Sequence, residues 1–449
     1  MAPTRHDLLS RCDRRGANYA CRDSHFPAGS PLILSLVVAA LTSGLVLARP
    51  KGLPEGYAAL LGGIATVALG VVPPAQAIQV LQGTLPIMGF FLGMMAITAV
   101  AEQAGFFAWA ANGAMHLARG SRLRLFVALF GIGAAVTVLF SNDATVLALT
   151  PLVLLLTERL HLPPLPYVVA CAFVANAAST LLPMGNPLNI IVLTSFPQPL
   201  GEFVRYLALP ALAAVVSSAW LLARIYRRDL SGTFELPDGE SPDPPGLRLS
   251  IGLLALIGAG YLAAAALAVP LAYVALSGGL LLMVSRGLAG RLDIGGMRRH
   301  ISWTIFPFVA GMFVVIQGLE NGGWTRQLAA ALLATVHLNP ALGAASAAGL
   351  VAVAANAVNN LPVAVVMVSA LHQAAGPPPE LLYGTLLGAD LGPSLSVTGS
   401  LATMMWLMVI RRRGLHLSGW GYLRIGVLVT PPMLLLSALA LGLELSLPR

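Results

Sequence analysis

Residues 388–406 read GADLGPSLSVTGSLATMMW and place one aspartate, two helix-breaking sites and several hydroxyl side chains inside an otherwise apolar stretch. A carboxylate inside a membrane segment is costly, so Asp390 is a functional-site candidate by default. Gly392, Pro393 and Gly399 are expected to interrupt the helix just after it. Irregular backbone at membrane depth persists only where it is buried in protein or lines a wet cavity. The stretch therefore predicts a polar site inside a membrane-embedded helical protein.

The composition of the whole chain is that of a polytopic membrane protein. Of 449 residues, 57% are hydrophobic and 10% are charged, so most of the chain is expected to lie in a bilayer. The net charge of +8 is nearly all arginine, since Lys51 is the only lysine, and we interpret it as topology and surface charge rather than nucleic-acid binding. That lysine lies outside any GxxxxGK[ST] motif, which excludes a Walker A site. We predict no metal site, because the cysteines and histidines lack ligand spacing, and we also predict no enzyme activity and no cofactor.

Apolar stretches able to cross about 30 Å of hydrocarbon divide the chain into two similar halves, residues 31–226 and 251–445. Residues 1–30 form a polar tail, and residues 227–250 have the polar, proline-rich composition of a solvated linker. Each half contains five predicted crossings and one re-entrant hairpin with a polar tip. The crossings are residues 31–48, 56–72, 85–104, 167–193 and 203–226, then 251–269, 271–284, 301–318, 381–410 and 422–442, with hairpins at 123–160 and 341–371.

Matching positions in the two halves indicate an internal repeat. The pairs, always 214 to 218 residues apart, are Gly93 with Gly311, Glu102 with Glu320, Asn142 with Asn359, Asn176 with Asp390, and Gly185 with Gly399. Because each half has an odd number of crossings, the second half must enter the membrane from the opposite side. The predicted fold is therefore an all-α polytopic membrane protein of two inverted repeats, with broken helices at the midplane, as in secondary transporters.

The basic residues fall mostly on one predicted face of the membrane. The positive-inside rule makes that face, with the linker, cytoplasmic. This predicts a multi-pass protein of the cytoplasmic (inner) membrane with both termini outside. That face carries Arg49, Lys51, Arg119, Arg122, Arg124, Arg159, Arg224, Arg227, Arg228, Arg248, Arg286, Arg291, Arg298, Arg299, Arg411, Arg412, Arg413 and Arg424, whereas the other carries Arg205, Arg326, Arg449 and the arginines of the tail.

Four polar interruptions lie at predicted membrane depth and form two repeat-related pairs. Half-helix N-termini and unwound carbonyls there offer ligands to small solutes and ions, and amide and hydroxyl side chains add donors and acceptors without a fixed charge. The predicted substrate-binding residues are Ser141, Asn142, Asn176, Ser179, Thr180, Asn186, Asn189, Asn359, Asn360, Ser394, Ser396, Thr398 and Ser400; the predicted helix breaks are Pro183, Gly185, Pro187, Gly392, Pro393 and Gly399.

Asp143 and Asp390 are the carboxylates that the sequence places near mid-membrane, without lysine or arginine at matching depth. A buried carboxyl group without a cationic partner favours its protonated form. We therefore expect both residues to bind a proton or a cation and to couple its movement to that of the substrate. Glu102 and Glu320 end their spans at opposite faces, where we expect a capping or gating role.

Four stretches resemble the arsenite efflux permease family, the arsenical pump membrane proteins of the ion transporter superfamily. They are SNDATVLALTPLVL at 141–154, NNLPVAVVMVSAL at 359–371, GADLGPSLSVTGSLATMMWL at 388–407 and GWGYLRIGVLVTPP at 419–432. The likeness covers nearly the whole chain after residue 30. It implies a membrane transporter that exports arsenite or antimonite, as an uncharged trihydroxide, in exchange for protons. It also allows for a separate cytoplasmic ATPase subunit and for a homodimer.

Two departures from the family pattern leave the substrate and the coupling ion open. Asn176 stands where such permeases usually carry an aspartate, and Gly185-Asn186-Pro187-Leu188-Asn189 replaces their usual Ser-Asn-Leu-Val-Asn pattern. An organic-anion carrier of the dicarboxylate type and a sodium/proton antiporter of the same superfamily are the alternatives. Two acids without a basic partner favour a neutral or cationic solute over an anion.

Overall fold

The computed structural model of the chain describes residues 30–48, 50–236, 246–267, 269–373 and 377–447. Residues 1–29 of the predicted tail and 237–245 of the predicted linker lie outside the described residues. Within these ranges the chain is almost entirely helical, and one isolated bridge pairs Ser121 with Thr233. The predicted all-α class is therefore confirmed.

The first half of the chain consists of ten α-helices and short connecting turns. The described residues of the second half also form ten α-helices. In the first half the elements are α1 (Ser30–Ala48), a 3-10 turn (Pro50–Gly52), α2 (Glu55–Ala68), α3 (Pro74–Gln103), α4 (Phe106–Ala118), α5 (Arg122–Leu139), α6 (Asn142–Ala144), a π turn (Thr145–Leu149), α7 (Thr150–Arg159), α8 (Leu165–Ala177), a 3-10 turn (Pro183–Gly185), α9 (Pro187–Ser195) and α10 (Leu200–Ile225). In the second half they are α11 (Leu247–Ala266), α12 (Leu271–Leu288), α13 (Ile294–His300), α14 (Ile305–Asn321), α15 (Trp324–Leu338), α16 (Pro340–Val358), α17 (Asn360–His372), α18 (Pro379–Leu391), two 3-10 turns (Gly392–Leu395, Val397–Gly399), α19 (Leu401–Arg412) and α20 (Gly419–Ser446).

Several of these helices have the length and apolar composition of membrane spans. Seven described helices pass on both counts, and the bent pair α14 and α15 makes eight if it is counted as one span. Two of the seven, α5 and α16, are arms of the predicted hairpins. Their partner arms return from polar tips at Ser141 and Asn359, and whether these hairpins are re-entrant stays a prediction.

The structure adds helical segments beyond the predicted crossings. Helix α3 begins at Pro74 rather than at residue 85, since residues 74–84, which mix glutamines with apolar residues, continue the same helix. Helices α4 and α15 were not predicted. Each follows a glycine in the left-handed region, Gly105 at φ +79° and Gly323 at φ +82°, where residues with a Cβ are strained. These glycines redirect the chain instead of ending the helical region, and α14 and α15 meet at 77°.

Close helix contacts between the halves are reciprocal. Helix α3 packs against α12, and the corresponding α14 packs against α2. A Cβ on Gly93 would overlap the backbone of Ala275, and a Cβ on Gly311 would overlap the backbone of Ala59. Small residues allow such close approach between membrane helices. These contacts join the two halves, while the internal repeat and the inverted orientation of the halves stay predictions.

The linker begins by folding back onto the first half. Phe234 N–H donates to the carbonyl of Gly120 at 2.8 Å, and Arg122 N–H donates to that of Gly232 at 3.3 Å. Leu230 is buried beneath this turn. The Tyr167 hydroxyl donates to the Arg122 carbonyl at 3.2 Å, so the end of α10 and the starts of α5 and α8 lie at one end of the molecule.

Candidate functional site

The first broken helix stops at Ala177 and resumes at Pro187. The Ser179 hydroxyl donates to the Asn176 carbonyl at 2.9 Å, and that of Thr180 to the Ala177 carbonyl at 3.3 Å. These bonds satisfy carbonyls that a helix end leaves without an intrahelical donor. The predicted breaks Pro183, Gly185 and Pro187 lie in or directly after the unwound segment.

The second broken helix shares one close glycine contact with the first. It stops at Leu391 and resumes at Leu401, with the predicted breaks Gly392, Pro393 and Gly399 in the 3-10 turns between. A Cβ on Gly399 would meet Pro393, just as a Cβ on Gly185 would meet the backbone of Ser179. Ser179 and Pro393 are themselves 214 residues apart, so the repeat-matched glycines serve matching close contacts.

Hydrogen bonds join the two breaks directly. The Asn186 amide donates to Asp390 Oδ1 at 2.6 Å, and the Asn176 amide donates to the Ser394 hydroxyl at 3.1 Å. Asn189 and Ser179 also face the Asp390 carboxyl group. Asp390 is fully buried. The pair predicted from the repeat, Asn176 and Asp390, thus lies at one contact between the halves.

Polar residues cap the helices that start at the breaks and hairpin tips. Asn186 and Asn359 accept from the N–H groups of Leu188 and Leu361 at 3.2 and 3.4 Å, and Ser141 and Ser400 accept from those of Ala144 and Thr403 at 3.2 and 3.1 Å. Such caps satisfy N–H groups at a helix start. The predicted binding residues at these four positions therefore also fix the half-helix ends.

The second hairpin tip reaches the Asp390 region. Asn359 adopts φ +82° and ψ 149°, a backbone conformation that is strained for a residue with a Cβ. The next side chain, Asn360, donates to the Ala389 carbonyl at 3.2 Å. This bond holds the tip one residue away from Asp390.

Several buried polar atoms of these predicted residues have no hydrogen-bond partner among the described residues. They are the acceptors Asn142 Oδ1, Asn189 Oδ1 and Asp390 Oδ2, and the donor Asn359 Nδ2. An unsatisfied buried polar atom costs about 1–3 kcal/mol. Their concentration at the tips and breaks is chemically suited to a small solute that both donates and accepts hydrogen bonds.

Asp143 lies in a different setting from Asp390. It is partly exposed and lines a cavity of about 50 Å³, measured as the volume that the centre of a water molecule can occupy. Polar residues of the cavity include Thr98, Glu102, Ser141 and Ser302, and the rest of its lining is mainly Phe90, Phe91 and methionines. Glu102 was expected only to cap or gate its span, and it shares this cavity with Asp143. The match of Glu102 to Glu320 in the repeat was the feature of the sequence that marked Glu102 as a functional candidate.

Three predicted substrate-binding residues bond to other partners. The Ser396 hydroxyl donates to Asn356 Oδ1 at 2.6 Å, and the Thr398 hydroxyl donates to the Asn356 carbonyl at 3.2 Å. Thr398 is exposed. The Ser400 hydroxyl lies 2.9 Å from that of Thr403. Asn356, which sequence reasoning missed, also donates to the Gly392 carbonyl at 2.8 Å and so ties the second break to α16.

Comparison with known proteins identifies the family. The sequence matches the profile of the citrate transporter family over residues 36–413. It is 31% identical to an arsenical pump membrane protein of Escherichia coli K12, over 92% of this chain and 99% of the relative. It is 29% identical to an arsenical pump membrane protein of Yersinia enterocolitica, over 93% and 99% of the two chains.

Two solved transporters share the fold. The Alcanivorax borkumensis YdaH transporter, described as having an unusual topology, superposes with a TM-score of 0.54 at 14% identity, covering 92% of this chain and 98% of the other. MtrF of Neisseria gonorrhoeae, from a class of antimetabolite efflux pumps, gives 0.52 at 14% identity over 94% and 95%. The resemblance predicted from the four sequence stretches is confirmed by the relatives. The chain therefore belongs to the citrate transporter family of membrane transport proteins, and within it to the arsenical pump membrane proteins.

Proposed function

We propose that this protein is a secondary active transporter that exports arsenite or antimonite in exchange for protons. The observation that carries the proposal is the setting of Asp390, a fully buried carboxylate held by the Asn186 amide at 2.6 Å. Its second oxygen has no partner among the described residues. A carboxylate with an unoccupied acceptor and neutral neighbours is suited to bind and release a proton.

The substrate assignment rests on the uncharged side chains that have unpartnered atoms at the tips and breaks. An uncharged trihydroxide presents hydroxyls that both donate and accept. The unpartnered atoms of Asn142, Asn189 and Asn359 comprise two acceptors and one donor, which complement such hydroxyls. The name of the relatives, arsenical pump membrane protein, agrees with this chemistry.

A citrate-type carrier is the second candidate, favoured by the description of the matching family. Carboxylate solutes require cationic or strongly donating groups. The residues that meet at the two breaks offer Asp390, asparagines and serines, and the cavity beside the first break offers Glu102 and Asp143. These three acids would repel an anionic solute, so this candidate ranks below arsenite.

In this proposal the protein lies in the cytoplasmic membrane with its arginine-rich face and linker inside and both termini outside. The Asp143 cavity then lies on the cytoplasmic side, because Gln103, next to Glu102, donates to the Asp293 carbonyl at 2.8 Å within the arginine-rich loop region. The cytoplasmic ATPase subunit and the homodimer stay predictions of the resemblance.

The opposite side is held closed by Glu320 in the same proposal. Its carboxylate accepts from Ser369 of the second hairpin and from Gln373 just after α17 at 3.2 Å each, and from Gln317 at 3.3 Å. These bonds fasten the hairpin arm α17 to α14. Transport by alternating access requires this contact to open when the Asp143 cavity closes.

Replacing Glu320 by alanine is therefore expected to shift the population toward the outward-open state. The reporter is Thr98→Cys, a residue lining the cavity, in a background with Cys12, Cys21 and Cys171 replaced. Its labelling rate by an aqueous maleimide in inverted vesicles is expected to fall several-fold. Glu380→Ala, a carboxylate at the start of α18 on the same side, is the control and is expected to leave the rate unchanged. An unchanged rate in Glu320→Ala would show that Glu320 does not hold the outer side closed.

Expression in a host without its own arsenite exporter tests the function. We expect growth at arsenite and antimonite concentrations that inhibit the empty-vector host, with lower arsenic in the cells. Citrate uptake is expected to stay at the level of the empty vector. Unprotected cells with normal amounts of membrane-inserted protein would contradict the arsenite assignment, and new citrate uptake would favour the second candidate.

A further inference from the structure

Two exposed tryptophans carry arginines stacked on them at the ends of α10 and α20. Trp220 is 60% exposed, and the Arg224 guanidinium carbon lies 5.7 Å from its ring centroid. Trp420 is 63% exposed, and the Arg424 guanidinium carbon lies 5.6 Å from its ring centroid. In each pair the arginine follows the tryptophan by four residues, so both side chains lie on one side of the helix. Nothing in the proposed transport cycle uses these four residues.

Both pairs lie at the same end of the molecule. Leu222 and Tyr226, at the end of α10, share a buried cluster with Tyr422 and Ile425, at the start of α20. The other ends of the two helices contribute to a different cluster through Phe203, Leu207 and Leu441, among others. The two helices therefore pack antiparallel, with both Trp–Arg pairs at the arginine-rich end.

Each pair continues a stripe of exposed apolar side chains. On α10, Leu212 and Val216 precede Trp220 at four-residue spacing and are exposed. On α20, the exposed Leu428 follows Arg424 at the same spacing. Exposed apolar stripes on membrane helices face the hydrocarbon, and tryptophan concentrates where hydrocarbon gives way to headgroups. The guanidinium groups consequently lie at the depth of lipid phosphates.

We propose that the Trp220–Arg224 and Trp420–Arg424 pairs form a binding site for the headgroups of anionic phospholipids. The planar guanidinium matches phosphate oxygens with two parallel hydrogen bonds, and stacking on the indole holds it in place. Further arginines add positive charge at this end, whereas Glu158, Asp229 and Glu235 are the described acids in the adjoining segments. The added arginines are Arg227, Arg228, Arg411, Arg412 and Arg413.

Helix α20, which carries Trp420 and Arg424, packs directly against the second broken helix. Gly426, two residues after Arg424, packs so tightly that a Cβ there would overlap the carbonyl of Leu395, in the 3-10 turn after α18. Helix α10 likewise contacts α8. Headgroups bound at this end thus stabilise the two helices against which the broken helices pack.

The test compares purified protein in nanodiscs of phosphatidylcholine with protein in nanodiscs that also contain phosphatidylglycerol. We expect phosphatidylglycerol to raise the unfolding temperature and to stay bound in native mass spectrometry. In Arg224→Gln/Arg424→Gln the affinity for phosphatidylglycerol is expected to fall by roughly fivefold for each arginine. Arg205→Gln is the matched control, because Arg205 stacks on Tyr206 at 5.8 Å near the opposite end of α10.

Three outcomes overturn the proposal. One is equal phosphatidylglycerol retention by the double variant and wild type. Another is equal loss in Arg205→Gln, which would indicate an effect of net charge alone. The third is the same stabilisation by inorganic phosphate in phosphatidylcholine nanodiscs, which would assign the arginines to a soluble anion. None of these readouts requires arsenite transport, so their failure is distinct from failure of the proposed function.

Discussion

Asp390→Asn is expected to reduce proton-driven arsenite transport to the level of vesicles that lack the protein. The substitution keeps the size of the side chain and an oxygen that can accept from Asn186, whose amide lies 2.6 Å from Asp390 Oδ1. Among the described residues at this contact, it removes the only group that changes charge on binding a proton. Folding is therefore preserved while coupling is lost.

Asp293→Asn is the matched control for this prediction. Asp293 is an exposed aspartate that caps Gly296 at 2.9 Å and lies 3.8 Å from Arg299, and asparagine is an equally good capping residue. Transport by this variant is expected to match wild type. Uptake into inverted vesicles and size-exclusion profiles in detergent measure both effects. Retained pH-driven uptake in Asp390→Asn would remove Asp390 from the coupling role.

Gly311→Leu is expected to prevent stable folding. A Cβ at this position would overlap the backbone of Ala59 and Leu60 on α2, and backbone atoms cannot move aside as a flexible side chain can. Overpacking in cores typically costs about 1–3 kcal/mol and sometimes more, and a leucine against backbone is expected at or above the upper end. The reciprocal contact of Gly93 with Ala275 predicts the same for Gly93→Leu.

Gly83→Leu on α3 is the control, because a Cβ there meets nothing within 4 Å. We expect normal yield, a monodisperse size-exclusion peak and an unchanged unfolding temperature for this variant. Gly311→Leu is expected to give low yield and aggregated material. Wild-type behaviour of Gly311→Leu would contradict the close packing of α14 on α2.

The broken helices and hairpin tips were predictable because the residues that form them affect the backbone locally. Prolines and glycines such as Pro183, Gly185 and Gly399 destabilise helices locally, and polar tips such as Asn359 stand out in apolar surroundings. The repeat offset then paired the interruptions without any knowledge of contacts. For example, the offset matches the position of Asn176 to that of Asp390, and the structure brings these two positions to the same contact between the halves.

Other features depend on contacts that sequence spacing does not encode. Helices α4 and α15 continue beyond Gly105 and Gly323, and a sequence pattern alone does not distinguish a glycine that redirects a helix from one that ends it. The role of Asn356 depends on the distance between α16 and the second break. Asp143 and Glu102 were expected at different depths, yet they line one cavity because α3 packs beside the first hairpin.

Arsenite uptake into proteoliposomes under an imposed pH gradient tests the central claim most directly. With the purified protein in liposomes acidified inside, the account predicts that arsenite accumulates, that the lumen loses protons as it does so, and that a protonophore abolishes both. Accumulation that ignores the pH gradient, or proton movement without arsenite accumulation, would contradict proton-coupled arsenite export.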